Sequence, residues 1–401
     1  MSFNKHFNSV FVKENSDKLP LFPSRLQGNI SLNDIKISEE LVYTRLEKLD
    51  LNKTGGVDGI NPFILKTCAS TLATPLAIIF RKSPDSDKIP SIWKKANISP
   101  IFKKGSRLVP ANYRPVSLTS VCCKVLESMI RDSVMSFLSE NMLISKNQHG
   151  FVKHKSCVTN LLESLDIATK ALQLKQPLDV VYLDFAKAFD KVPHNRLMLK
   201  LEAYGIRGNL SCWIHDFLSE RLQRVVLGTS QSCWSSVLSG VPQGSVLGPT
   251  LFIIYINDIM ENLDNICKIY ADDSKIFGKP GESMQSDLEK IGIWSKKWLM
   301  QLNVDKCKVM HIGKNNPYFD YFLHDQVSLQ SHKLTTTNLE RDLGIYISSD
   351  LKNKSQVDHA VAKASSVYAM LRNTFISRDP LLWKKLFTTY VRPHLEFAIQ
   401  A

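Results

Sequence analysis

The chain has 401 residues, with 51 Lys and Arg against 38 Asp and Glu, a formal net charge of +13. Apolar content of 44 % and charged content of 22 % are ordinary for a globular protein with a large core and two or three subdomains. No run of 18 apolar residues occurs and the N-terminus has no apolar core, so neither a membrane span nor a signal peptide is expected. The cationic excess favours a polyanionic partner, most simply nucleic acid, although a basic enzyme without one has the same balance. The eight cysteines form no Cys-x-x-Cys, which speaks against a zinc knuckle and for buried thiols in a reducing compartment.

Residues 1–37 are polar and rich in Pro, Ser and Asn, predicting a loose extension. Ser38 can cap a helix with Glu39 and Glu40 in its first turn and Val42, Leu46 and Leu49 on one face. Lys53 to Gly59 is a glycine-rich loop that lacks the Gly-Lys-Ser/Thr ending of a phosphate-binding loop and reads as a structural turn. Phe63 to Phe80 predicts one apolar helix. Ala96 to Phe102 predicts a strand that runs into a loop carrying Lys103, Lys104 and Arg114. Helical patterns return over 121–138 and 160–174.

Val180 to Phe185 is the most β-prone segment and carries Asp184 near its end. A helix starting near Pro193 at its first position, with Leu197, Leu201 and Tyr204 on one face, ends at Gly205. Residues 221–238 read as a hairpin, 249–259 are strongly apolar, and 284–302 are helical with Trp294 and Trp298 as core. Val357, Val361, Ala364, Tyr368 and Leu371 mark a further helix. The last begins near Pro380 and runs to the final residue.

Tyr270-Ala271-Asp272-Asp273 stands between two apolar runs, which predicts strand, tight turn, strand. Two adjacent carboxylates at a hairpin tip repel each other, and a divalent cation is the usual reason to tolerate them. With Asp184 they could converge on one point if their strands are neighbours, the arrangement that two-metal phosphoryl transfer needs. Three glycines and two prolines between Gly240 and Pro249 force a tight backbone able to approach a ligand, and Gln243 offers uncharged donor and acceptor groups there. Lys103, Lys104 and Arg114 suit a triphosphate, or form a solvated charge cluster.

In order, Asn112-Tyr113-Arg114-Pro115, Gln148-His149-Gly150-Phe151, Leu183 to Asp190, Gly240 to Pro249, Tyr255 to Ile259, Tyr270 to Asp273, Asn303 to Lys306 and Leu343-Gly344 resemble the motifs of a reverse transcriptase. The match is to the non-LTR, LINE-type and jockey-like retrotransposon lineage, from about residue 40 onward. The resemblance implies an α/β right-hand polymerase fold with fingers, an antiparallel palm sheet and a partial thumb. It implies an N-terminal extension at 1–50, fingers at 51–165 and 191–238, palm at 166–190 and 239–350, and partial thumb at 351–401.

The resemblance also implies roles. Asp184, Asp272 and Asp273 would hold two Mg²⁺ ions, with Mn²⁺ a possible substitute, and the Phe185 carbonyl would help. Phe189 would exclude a ribose 2′-OH. Gln243 and Gly244 would meet the incoming nucleotide and template, with Tyr270 also at the nucleotide. Arg114 and Lys103 or Lys104 would hold the triphosphate, and Lys306, or Lys308 two residues on, would protonate the pyrophosphate. The implied partners are an RNA template, a DNA primer or target and dNTPs, in cytoplasm and nucleus.

The basic pattern that usually follows Gly150-Phe151 is altered here to Val152-Lys153-His154-Lys155. No upstream endonuclease is visible, and the thumb is expected to stop short at Ala401. Two alternatives stay open: a non-catalytic nucleic-acid-binding remnant, and a reverse transcriptase of another lineage.

Overall fold

A computed structural model describes residues 2–15, 18–28, 30–86, 88–324 and 331–401. The chain divides into two compact units. The first comprises 1–146, 185–259 and 294–301, the second 147–184, 260–293 and 302–401. The strands that build them are β1 (Lys95–Phe102), β2 (Tyr113–Leu118), β3 (Leu178–Leu183), β4 (Leu222–Leu227), β5 (Ile266–Tyr270), β6 (Asp273–Gly278), β7 (Lys308–Ile312), β8 (Leu339–Asp342) and β9 (Ile345–Ser348). The fold is mixed α/β with mostly antiparallel sheets. Among the described residues no helix is long and apolar enough to cross a membrane.

In the first unit β1 is central, antiparallel to β2 and parallel to β4. Arg114 lies within β2, opposite Ile101, and not in the loop expected for it. Pro115 argues against a strand there, but β2 is an edge strand, where a missing N–H costs no ladder bond. Lys103 and Lys104 remain in the β1–β2 connection and are exposed.

Helices surround this sheet. The 2–8 segment forms the helix Ser2–Asn8, and Phe7 is buried against Ala96, Ile98 and Val225. Asn4 Nδ2 donates to the Cys233 carbonyl and to Ser235 Oγ, and Glu14 pairs with Arg196 at 2.6 Å. The described part of the N-terminal segment is therefore docked, contrary to the loose extension expected. Phe3 and Phe7 are four apart and form a one-sided stripe that the polar average conceals.

The apolar stretch expected as one helix is two, Pro62–Thr67 and Ala69–Asp85, separated at Cys68. Ser38 caps Glu39–Glu47, accepting from Leu41 N. Pro193 is the N-cap of His194–Ala203 instead of its first helical residue. Leu197, Leu201 and Tyr204 are buried as the pattern requires. The helix Gly248–Ile256 is buried almost all round. Lys200 is buried too: its ammonium pairs with Asp258, donates to the Tyr255 carbonyl and lies 3.7 Å from the Trp298 ring centre. A buried cation is tolerable only with such partners.

The second unit carries a five-stranded sheet in the order Thr335–Thr336, β7, β3, β6, β5. β3 is antiparallel to both neighbours, with Val181 opposite Ile276 on one side and Val309 on the other. Helix Cys157–Gln173 covers the sheet through Leu161 and Ala168, which pack with Leu178, Val180, Phe277, Met310 and Ile312.

Farther along, helix Lys354–Thr374 buries Ala364 and Leu371, whereas Val357, Val361 and Tyr368 of its expected apolar face are exposed. The helix expected from Pro380 begins there but changes pitch and stops at Glu396, short of the final residue. Pro380–Leu386 is α, Phe387–Val391 is a wide π turn, and Arg392–Glu396 is α and ends there. Pro393 lacks the N–H and crowds the preceding turn, which a wide turn relieves.

If the N-terminal helix is docked as described, Phe7→Ala should lower unfolding free energy by about 3–5 kcal/mol. Urea denaturation of the two proteins checks this, and a midpoint unchanged by the substitution would mean a solvated extension.

Candidate active site

β3 ends at Leu183, paired with Ser274 of β6. Continuing that register by one residue sets Asp184 opposite Asp273, with both side chains on one face. β5 and β6 form a hairpin closed by the Tyr270–Asp273 pair, which leaves Ala271-Asp272 as a two-residue turn. Ala271 has φ 56°, a left-handed conformation that costs a non-glycine residue about 1–2 kcal/mol. The expected strand–turn–strand is thus present, and it brings Asp184, Asp272 and Asp273 to the same end of adjacent strands.

Asp184 accepts from Lys306 Nζ at 2.5 Å, and its carbonyl accepts from Asn303 N at 2.8 Å. The Asn303 to Lys306 segment therefore closes on the end of β3. At the other end of β3, the buried Asp179 accepts from Asn316 Nδ2 at 2.7 Å and Tyr321 OH at 2.6 Å, and lies 2.7 Å from His311 Nδ1. Below the turn, Lys275 and Asp342 form a buried ion pair at 2.5 Å.

Asp273 reaches solvent at the strand end. Crowding by protein, followed by the charges of Asp272, Asp184 and Asp342, pushes its carboxyl from the ordinary 3.8 to about 6. Burial and then the nearby Cys157 and Asp273 raise the Tyr270 phenol.

The donor set, three aspartates carrying hard oxygen atoms and repelling one another, fits a divalent cation in kind and charge. As they stand, the side chains are not gathered: among the described residues no three His, Cys, Asp or Glu groups are close enough to hold a metal.

The other residues singled out from the sequence belong to the first unit. Phe185 is buried, its ring centre 6.2 Å from that of Trp294. Phe189 stacks on Phe252 at 4.3 Å with the planes 16° apart. Gln243 Nε2 donates to Asp190 Oδ1 at 2.7 Å, and its carbonyl accepts from Ser117 N at 2.7 Å. Gly244 has φ 118°, and a Cβ there would lie 2.5 Å from the Ser117 carbonyl oxygen, so only glycine fits. The next turn is held by the buried Glu127, which accepts from Val246 N and Leu247 N at 2.7 and 3.0 Å. Arg114 is exposed on β2.

Asp190 and Asp179 carried no expected role. The first stood inside a motif string, but only the fold reveals that it holds Gln243. Burial raises its carboxyl, opposed by the Gln243 hydrogen bond and the charges of Lys187 and Arg114.

The family model for reverse transcriptase (RNA-dependent DNA polymerase) matches residues 101–354. The chain belongs to the reverse transcriptase family. It is 28 % identical over 299 residues to the RNA-directed DNA polymerase from mobile element jockey of Drosophila melanogaster, covering 71 % of this chain and 32 % of the relative. The probable RNA-directed DNA polymerase from transposon BS of the same fly is 26 % identical over 322 residues, covering 75 % and 34 %. The jockey polymerase of Drosophila funebris is 26 % identical over 424 residues, covering 100 % and 44 %. The chain thus spans less than half the length of each of these relatives. The likeness to these polymerases of mobile elements agrees with the jockey-like lineage that the resemblance implied.

The raised Asp273 carboxyl has a thermodynamic signature. A group whose folded value exceeds its unfolded one contributes stability below about 3.8 and loses it as pH rises through about 6. Asp273→Asn removes that loss. Without divalent cations, its Tm should gain on wild type between pH 4 and pH 7.5. Thermal denaturation at the two pH values checks this, and a constant Tm difference would count against the crowded carboxyl.

Proposed function

We propose that this chain is an RNA-directed DNA polymerase of a non-LTR retrotransposon, adding dNTPs to a primer 3′-OH on an RNA template. The observation that carries this reading is the β3–β6 register, which sets Asp184 and Asp273 on one face beside the Ala271-Asp272 turn, in a chain of this family. The second unit's sheet would be the palm. Fingers at 51–165 and 191–238, palm at 166–190 and 239–350 and a partial thumb at 351–401 complete the reading, with an N-terminal extension at 1–50. Cytoplasm and nucleus are where such templates and targets occur.

Asp184, Asp272 and Asp273 would hold two Mg²⁺, or Mn²⁺, with help from the Phe185 carbonyl. When bound, such ions neutralise charge on the transferring phosphoryl group and favour the attacking oxygen. Lys306, already on Asp184, would give a proton to the departing pyrophosphate, in preference to Lys308, which pairs with Glu340. Arg114 with Lys103 or Lys104 would bind triphosphate oxygens, the guanidinium bidentately. Gln243, held by Asp190, and Gly244, able to approach closely, would meet the nucleotide and template, with Tyr270 beside the nucleotide. Phe189, stiffened by Phe252, would refuse the volume of a 2′-OH.

Primer extension on poly(rA)/oligo(dT) with Mg²⁺ tests the reading. Asp272→Asn should drop synthesis to background while RNA binding is retained, and wild-type-like synthesis by that variant would sink the assignment. The sugar gate has its own test, since Phe189→Val should raise ribonucleotide use relative to deoxyribonucleotide. An unmoved ratio would leave Phe189 a packing residue only.

A further inference from the structure

The string Gln148-His149-Gly150 has no role in the chemistry described so far, yet it lies against the aspartate turn. Residues 147–149 run along the free edge of β5: Ile269 N donates to the Asn147 carbonyl at 3.0 Å, and His149 N donates to the Ile269 carbonyl at 2.8 Å. The segment is tied down by Lys268 Nζ on Asn147 Oδ1 at 2.8 Å, and Asn160 Nδ2 donates to the same Ile269 carbonyl at 3.3 Å.

Gln148 is completely buried. Its Oε1 accepts from two backbone amides, Gly150 N at 2.7 Å and Ala271 N at 3.1 Å. Both neighbours are donors, so only the oxygen of the amide can face them, and its orientation is forced. Nε2 is buried with no hydrogen-bond partner. A buried orphan of that kind is rare and asks for a reason. Every hydrogen bond this side chain makes runs through one oxygen, and one of the two holds the amide just before Asp272.

Ala271 is the residue that needs holding. It is buried and left-handed, a conformation an alanine leaves unless its surroundings fix it. Gly150 closes the other side, where a Cβ would lie 2.5 Å from Ala271 N.

We propose that Gln148 is a positioning residue for the metal-binding turn, its amide oxygen fixing the left-handed Ala271 and through it the direction of the Asp272 and Asp273 carboxylates. Gln148 touches neither carboxylate and acts only through the backbone. The proposal rests on the polymerase reading for what the turn positions.

The test compares Gln148→Met, of similar length without an acceptor, with Gln148→Glu. The glutamate keeps the accepting oxygen and exchanges the NH₂ that has no partner for a second carboxyl oxygen, protonated where burial keeps it neutral. Three measurements are made on the full chain: Mn²⁺ binding by electron paramagnetic resonance without nucleic acid, primer-extension kcat and dNTP KM, and hydrogen exchange at the Ala271 amide. Gln148→Met should weaken Mn²⁺ binding and lower kcat about 10- to 100-fold, as loss of groups that orient metal ligands does. KM for dNTP should change little, and the Ala271 amide should exchange faster. Gln148→Glu should restore all three.

Wild-type Mn²⁺ affinity and kcat in Gln148→Met would overturn the proposal. So would a folded Gln148→Glu as impaired as the methionine variant at a pH low enough to keep its carboxyl neutral, since the accepting oxygen would then not be what matters. A wild type that neither binds Mn²⁺ nor extends primers would refute the polymerase reading instead. In that case exchange at Ala271 still decides whether Gln148 holds the turn: faster exchange in Gln148→Met supports it, and equal exchange overturns it.

Discussion

The alignment of β3 with β6 is the constraint on which the second unit depends. Side chains alternate along a strand, so a one-residue slip would turn Asp273 to the opposite face and separate it from Asp184. Several features oppose a slip. β3 is hydrogen-bonded on both sides, so a slip would have to break two ladders at once. Asp179 pins the far end through His311, Asn316 and Tyr321, which also supply the partners a buried carboxylate requires. The carboxylates at one end of the sheet are thus placed by burial and hydrogen bonding at the other.

Burial also accounts for some of the basic residues. Lys200 and Lys275 are in the interior, but each is matched by an aspartate, Asp258 and Asp342. Neutral pairs of this sort leave the excess of +13 to the remaining, largely exposed side chains. That excess is the long-range attraction a polyanionic substrate would feel, and it weakens with salt. The buried pairs contribute nothing to it; they fix which helices and strands adjoin.

Much of this was legible in the sequence where a local rule applied. Val180 to Leu183 of β3 reads as an apolar run because the strand is covered on both faces, and the β5–β6 hairpin reads from apolar flanks around a polar pair. The caps at Ser38 and Gly205 follow from side-chain and backbone chemistry alone. Failures came where the average over a window hid a single contact. Two phenylalanines dock the Ser2–Asn8 helix within a polar stretch, and Pro115 masks β2 because an edge position is invisible in one strand's sequence. In the site, the acidic residues were legible as a pattern. The holds of Asp190 on Gln243 and of Gln148 on Ala271 were not, although both stood inside recognised strings. A hydrogen bond from a side chain to a distant partner leaves no periodicity to read.

The wide turn at Phe387–Val391 has a consequence for chain length. Leu386 and Val391 are five apart, yet both are buried with Ala364 and Leu371 in one cluster. A regular α-helix brings residues three or four apart onto a common side, so a five-residue interval needs the extra residue a π turn accommodates. Deleting one residue there would return the interval to four but set the Pro393 ring against a carbonyl one turn back. Inserting one would carry Val391 away from its cluster. This stretch should therefore tolerate exchanges of side chain better than any change in the number of residues.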